Sequence, residues 1–101
     1  MPSSDPIKRR RHWLKRHIRQ KFDAKLTVDE YDAKLAQRKG LCFLCNKPQR
    51  GGRTPNLVLD HDHKTKRIRE FLCSRCNIAL GLLEDDVDLL RKAAAYIESF
   101  R

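Results

Sequence analysis

The sequence predicts a small α+β fold, mostly helical, with one short β-hairpin set between helical N- and C-terminal regions. Three observations lead to it. Two Cys-x2-Cys pairs, Cys42/Cys45 and Cys73/Cys76, bracket the middle of the 101-residue chain. Between them, two short runs carry the alternation of half-buried strands. On either side, apolar residues recur at helical spacing. Each cysteine pair places two thiolates on one side of a tight turn, and two such turns complete the tetrahedral four-sulfur shell that Zn2+ accepts. A closed shell is structural, so the reactive groups are expected between and just after the pairs. An apolar core is marginal in so short a chain, and a metal staple supplies what it lacks.

Taken in order, residues 1–6 read as a short lead. Over 7–22, Trp13/Leu14, Ile18 and Phe22 form an apolar stripe on a strongly basic helix. Thr27 with Glu30 makes a capping box that opens a second helix over 27–39, with Val28, Tyr31 and Leu35 inward and Gly40 as its left-handed stop. Cys42-Phe-Leu-Cys45 reads as a zinc-knuckle turn, and 49–56, holding Gly51, Gly52 and Pro55, as loop. Strands are predicted at Leu57–Leu59 and Arg67–Phe71, joined through the polar segment Asp62–Lys66. A helix is predicted over Ser74–Leu83. Asp85 or Asp86 then caps a last helix whose Leu89, Leu90, Ala93, Tyr96, Ile97 and Phe100 form a broad apolar face. The whole reads as one compact domain in two parts, a basic helical region over 1–40 and a zinc-bound core with its C-terminal helix over 41–101.

The formal net charge is +10, and residues 1–25 carry nine basic against two acidic side chains, +7 of that total. Nucleic acid is the partner such a balance implies, through phosphate neutralisation. Arg11, Lys15, Arg16 and Arg19 on the first helix are candidate DNA contacts, as are Arg67, Arg69 and Arg75 near the second cysteine pair. The absence of a membrane-length apolar run or a hydrophobic leader leads to the expectation of a cytoplasmic protein with no membrane partner. In a reducing compartment four cysteines favour metal, with two disulfides the competing account were the chain secreted. A redox role fits two equivalent pairs and this charge poorly.

The strand, loop, strand, helix order brings Asp60 and His61, at the end of one strand, towards Asn77 in the first turn of the next helix. A carboxylate and an amide oxygen are hard ligands suited to Mg2+ or Mn2+. An adjacent imidazole that is neutral near pH 7 can deprotonate a water. His63, two residues beyond His61, either binds the scissile phosphate or supports the loop. Asp62 is expected to stabilise the hairpin. His12 and His17 read as surface residues.

These residues carry a resemblance. Cys42-x2-Cys45, Leu59-Asp60-His61-Asp62-His63 and Arg67-Ile68-Arg69-Glu70-Phe71-Leu72-Cys73-Ser74-Arg75-Cys76-Asn77 resemble the recombination endonuclease VII family, a phage-type branch of the His-Asn-His or ββα-metal nucleases. The resemblance implies a zinc-stapled ββα-metal core and divalent-metal-dependent nicking of DNA, often at branched or Holliday-type junctions. It implies zinc on Cys42, Cys45, Cys73 and Cys76, catalytic Mg2+ on Asp60 and Asn77, and His61 as base. If the chain is phage-encoded, the cytoplasm is that of a bacterial host. Two positions depart from the pattern. Glu70 stands where family members often have Gly, and Leu80 where a Glu can join the metal site, leaving Glu84 or Glu70 as candidate second carboxylates. Junction resolution needs two cuts, which makes a homodimer attractive. The competing reading is a zinc-stabilised nucleic-acid-binding module without catalysis.

Overall fold

The computed structural model describes residues 5–22 and 25–101; the first four residues of the lead expected over 1–6 lie outside them, and Pro6 already opens the first helix. Helix α1 spans Pro6–Phe22 and α2 spans Val28–Arg38. Strands β1 (Val58–His61) and β2 (Ile68–Leu72) form an antiparallel hairpin, followed by α3 (Ser74–Leu82) and α4 (Val87–Glu98). The architecture is the expected mostly helical α+β.

Pro6 suits the first position of α1 because its missing N–H would have no helical partner there. Asp5 accepts the Ile7 amide at 2.9 Å just ahead of it. The stripe Leu14, Ile18 and Phe22 is buried. The capping box of α2 forms on both sides, Thr27 accepting from the Glu30 amide and Glu30 accepting from the Thr27 amide. The helix stops one residue before the expected glycine, with Lys39 itself left-handed at φ 52° and Gly40 continuing at φ 79°. Tyr31 meets Phe71 edge-on at 4.9 Å, tying α2 to the hairpin.

Both strands run further towards the C-terminus than the sequence suggested, β1 reaching His61 and β2 reaching Leu72. The turn explains the first extension. Asp62 pairs its amide with the Arg67 carbonyl at 2.8 Å, and its carboxylate accepts the Lys64 and Thr65 amides at 2.8 and 3.0 Å. These backbone donors, Thr65 foremost, hold the Asp62 carboxyl below its usual range. The hairpin-stabilising role expected of Asp62 is what its bonds perform.

The ladder pairs Val58 with Leu72 and Leu59 with Phe71, then His61 with Ile68. Two residues of β2, Arg69 and Glu70, therefore oppose Asp60 alone. Such a bulge re-aims side chains locally. The core gathers Leu14, Ile18, Phe22, Val28, Leu57, Leu59, Phe71 and Leu72 around buried Cys42 and Cys73.

Loop 49–56 is clamped to the start of α3. The Gln49 amide oxygen accepts the Ser74 N–H at 2.8 Å, and its nitrogen donates to Ser74 Oγ at 2.7 Å and the Thr54 carbonyl at 2.8 Å. Gly52 has φ 65°, and a Cβ there would come within 2.8 Å of the Ser74 Cβ. Only glycine satisfies both demands.

Helix α4 is the least buried of the helices. Asp86 caps it, accepting the Leu89 amide at 3.1 Å, but none of its residues is buried. Tyr96 is 68% and Phe100 80% exposed. The molecule is elongated, 57 × 27 × 22 Å. Among the described residues no helix is long and apolar enough to cross a membrane.

Candidate active site

The four cysteine sulfurs lie within 4.8 Å of one another, with Cys45 and Cys73 Sγ 3.8 Å apart. Metal–sulfur bonds of about 2.3 Å in a tetrahedron require sulfurs about 3.8 Å apart. The cluster is thus shaped for one metal ion. Burial pushes the Cys42 thiol up, but amide N–H groups including those of Cys45 and Leu44 outweigh it, bringing the thiol down to about 6. Burial and the other three cysteines push Cys76 up to about 12. Four sulfurs cannot all carry charge at this spacing without a cation among them, which is the demand a divalent metal meets.

Cys73 also caps α3, its sulfur facing the Cys76 amide at 3.5 Å. The metal cluster therefore fixes where α3 starts, and Asn77, one residue after Cys76, inherits that placement. Its amide N–H donates to the Cys73 carbonyl at 3.0 Å within the first turn.

Asp60, His61, His63 and Asn77 line a single cleft between α1, the hairpin and α3. Asp60 is 6% exposed. Its Oδ2 accepts Arg69 Nε–H at 2.6 Å, and Asp85 accepts from Nη2 of the same guanidinium at 3.0 Å. The bonds to Asp60 and Asp85 raise the Arg69 pKa, so the cation is permanent. Oδ2 of Asp60 is fixed, while among the described residues Oδ1 takes no hydrogen bond. A buried carboxylate with one oxygen pinned, beside an asparagine amide, is a donor set that fits a hard divalent cation.

His61 sits over the edge of Phe22 at 5.3 Å and beside His63 at 4.8 Å. Its pKa is lowered, first by burial and then by His63 and the charges of Lys66 and Lys21, against the opposing pull of Asp60. The imidazole is neutral near pH 7. His63 is exposed at the cleft mouth, and the two rings are neighbours although β1 ends at His61.

The expected cationic residues divide by place. Arg69 is engaged between Asp60 and Asp85. Arg67 and Arg75 are exposed, flanking the hairpin turn and the start of α3. Arg11, Lys15 and Arg19 line a separate depression with Leu26 and Val28, and Arg16 joins Lys15 and Arg19 on an exposed strip. Arg11 is further paired with Asp29 at 3.1 Å. The cleft itself is bordered by other α1 residues, Arg10, Trp13, His17 and Lys21. His17 is half-buried there rather than a free surface residue, its pKa lowered by burial and by Lys21. The i, i+4 spacing of Trp13, His17 and Lys21 was the available signal.

Of the candidate second carboxylates, Glu70 is held by Lys34 at 2.9 Å. Leu80 packs against the core. The acid that reaches Asp60, through Arg69, is Asp85. It lies in the α3–α4 turn, where Glu84 and Asp85 are both left-handed, φ 59° and 53°. Non-glycine residues hold that conformation at a cost of about 1 kcal/mol each.

Comparison with known proteins agrees with this geometry. The sequence profile of the recombination endonuclease VII family matches residues 15–99. The Gene 59 proteins of Mycobacterium phages D29 and L5 are 36% and 34% identical over 73 residues, 71% of this chain and 43% of each relative. The chain thus spans under half the length of these curated relatives. Among solved structures, the ββα-Me type II restriction endonuclease Hpy99I superposes with a TM-score of 0.53 at 30% identity, over 85% of this chain and 48% of that one. With its cysteine cluster, hairpin and α3 matched across nearly its whole length, the chain belongs to the recombination endonuclease VII family.

Proposed function

We propose that this protein is a metal-dependent DNA endonuclease that nicks one phosphodiester bond per site and favours branched or junction DNA. The observation that carries the reading is the cleft in which a neutral His61, a pinned Asp60 and Asn77 meet. Cys42, Cys45, Cys73 and Cys76 would hold Zn2+ as a structural ion, and Asp60 and Asn77 would hold Mg2+ or Mn2+ as the catalytic one. When bound, that second cation supplies Lewis-acid polarisation of the phosphate and charge stabilisation at the leaving oxygen. Neutral His61 accepts a proton from water as the water oxygen attacks phosphorus. The bond from phosphorus to the leaving oxygen breaks in line, and that oxygen is protonated from solvent. His63 donates to a phosphate oxygen from the cleft mouth. Arg69 and Asp85 act as positioning residues for Asp60, while Lys15, Arg16, Arg19, Arg67 and Arg75 supply phosphate contacts that position DNA without reading sequence.

Resolving a branch calls for two cuts, and α4 with the turn after it offers exposed apolar residues, Tyr96, Ile97 and Phe100, suited to pairing two copies. The membership in a nuclease family and the likeness to a ββα-Me endonuclease support the reaction class.

Supercoiled plasmid and a four-way junction, incubated with Mg2+ or Mn2+, test the proposal beside His61→Ala. Metal-dependent nicking that falls by about 100-fold or more in the variant is expected. Binding without nicking would instead favour the zinc-stabilised binding module.

A further inference from the structure

The chain has a single tryptophan, and it is spent on a wall of the catalytic cleft rather than in the core. Trp13 is 60% exposed. It precedes the buried stripe residue Leu14, so the helix turns it away from the core towards Asp60, His61 and Asn77. Its indole lies nearly parallel to the His17 imidazole, centroids 4.9 Å apart and planes inclined by 13°. His17 meets Phe22 at 6.3 Å, Phe22 meets His61 at 5.3 Å, and His61 meets His63 at 4.8 Å. One row of rings thus leads from solvent to the reacting imidazole.

The surroundings of that row are cationic. Lys21 and Arg10 border the cleft, and Asp60 is the only acid lining it among the described residues. Lys21 is near enough to lower the pKa of both His17 and His61. Arg10 is held in place by Asp32 at 3.0 Å, and Trp13 borders a second open depression with Arg9 and Arg16. An exposed ring, backed on one side by another ring and edged by cations, has the chemistry of a nucleobase platform. Inside a paired duplex each base already stacks on both neighbours. Only an unpaired or branch-point base has a face to give.

We infer that Trp13, backed by His17, stacks an unpaired or branch-point nucleobase of the strand positioned at His61. The inference rests on the nuclease reading and deepens it by naming the substrate feature the site selects. The ring-to-ring distances hold Trp13 within about 17 Å of His61, the length of about five stacked nucleotides. The platform therefore addresses a base within about five nucleotide steps of the phosphate at His61.

The zinc-loaded full chain, without the catalytic cation, tests this by its own fluorescence, since one tryptophan gives all the indole signal. Three DNAs are titrated: a fully paired duplex, the same duplex with a two-nucleotide bulge, and a four-way junction. At saturation, indole emission is expected to be quenched more strongly by the bulged and branched DNAs than by the duplex. Trp13→Ala should reduce the ratio of branched to duplex affinity by roughly 5- to 100-fold, and Trp13→Phe, which keeps a ring, should restore most of it. Equal quenching by all three DNAs, or an unchanged affinity ratio in Trp13→Ala with its thermal transition intact, would overturn the platform. Nicking of the same DNAs with Mg2+ is scored separately. Discrimination without nicking defeats the nuclease reading alone, and nicking without discrimination defeats the platform alone.

Discussion

Asp60 shows how a buried carboxylate keeps its charge. Burial alone would make its charge expensive, and the Arg69 guanidinium at 2.6 Å offsets that cost. Asp85 holds the same guanidinium through Nη2, so Asp85 orients Asp60 at one remove. Asp85→Asn keeps the left-handed turn, which Asn tolerates, while weakening the grip on Arg69. The metal concentration for half-maximal nicking is expected to rise about 10-fold, with kcat at saturating metal nearly unchanged; an equal loss in kcat would show a different role. His61 gives a pH prediction with a fixed sign. Its pKa lies below the ordinary 6.5, chiefly through burial, so the base is active above that lowered value and is lost as pH falls through it. The acid limb of the nicking rate should sit below 6.5, and Lys21→Ala, which removes one lowering charge, should move it upward.

At the scale of elements, the caps and turns follow local rules that hold wherever the chain folds. Thr27 and Glu30 satisfy each other's amides, Asp62 closes the hairpin, and Asp86 caps α4. Thr27→Ala should cost about 1 kcal/mol, seen as a Tm lowered by about 4–8 °C in a domain of this size. These features were legible because each depends on residues within four positions of one another. The bulge opposite Asp60 was not. Arg67 to Phe71 alternates acceptably as a regular strand, and the two-for-one pairing arises from where β1 and α3 hold the ends of β2.

For the whole molecule the cysteine cluster is the organising joint, linking the knuckle at 42–45 to the hairpin end and the start of α3. In a chain this small, metal binding supplies folding free energy. Stripping the metal with a strong chelator is expected to abolish the cooperative thermal transition and nicking together, both returning with Zn2+; a transition that survives would place stability in the apolar core. The exposed α4 belongs to the same scale. Its apolar face was visible as a helical stripe, but a stripe does not state whether it meets its own core or another chain. Here it meets no core.

The sequence by itself determined the helices, the hairpin and the four sulfurs, and it singled out Asp60, His61 and Asn77 as candidates, because each is written in short-range spacing or in side-chain chemistry. Tertiary structure alone decided the placement of Arg69 between Asp60 and Asp85, the loss of Glu70 to Lys34, and the turning of Trp13 and His17 into the cleft. Those outcomes join residues distant in sequence, Lys34 with Glu70 and His17 with the hairpin. Their partners are chosen by how α1, α2 and the α3–α4 turn pack against the sheet, and no local pattern encodes that packing.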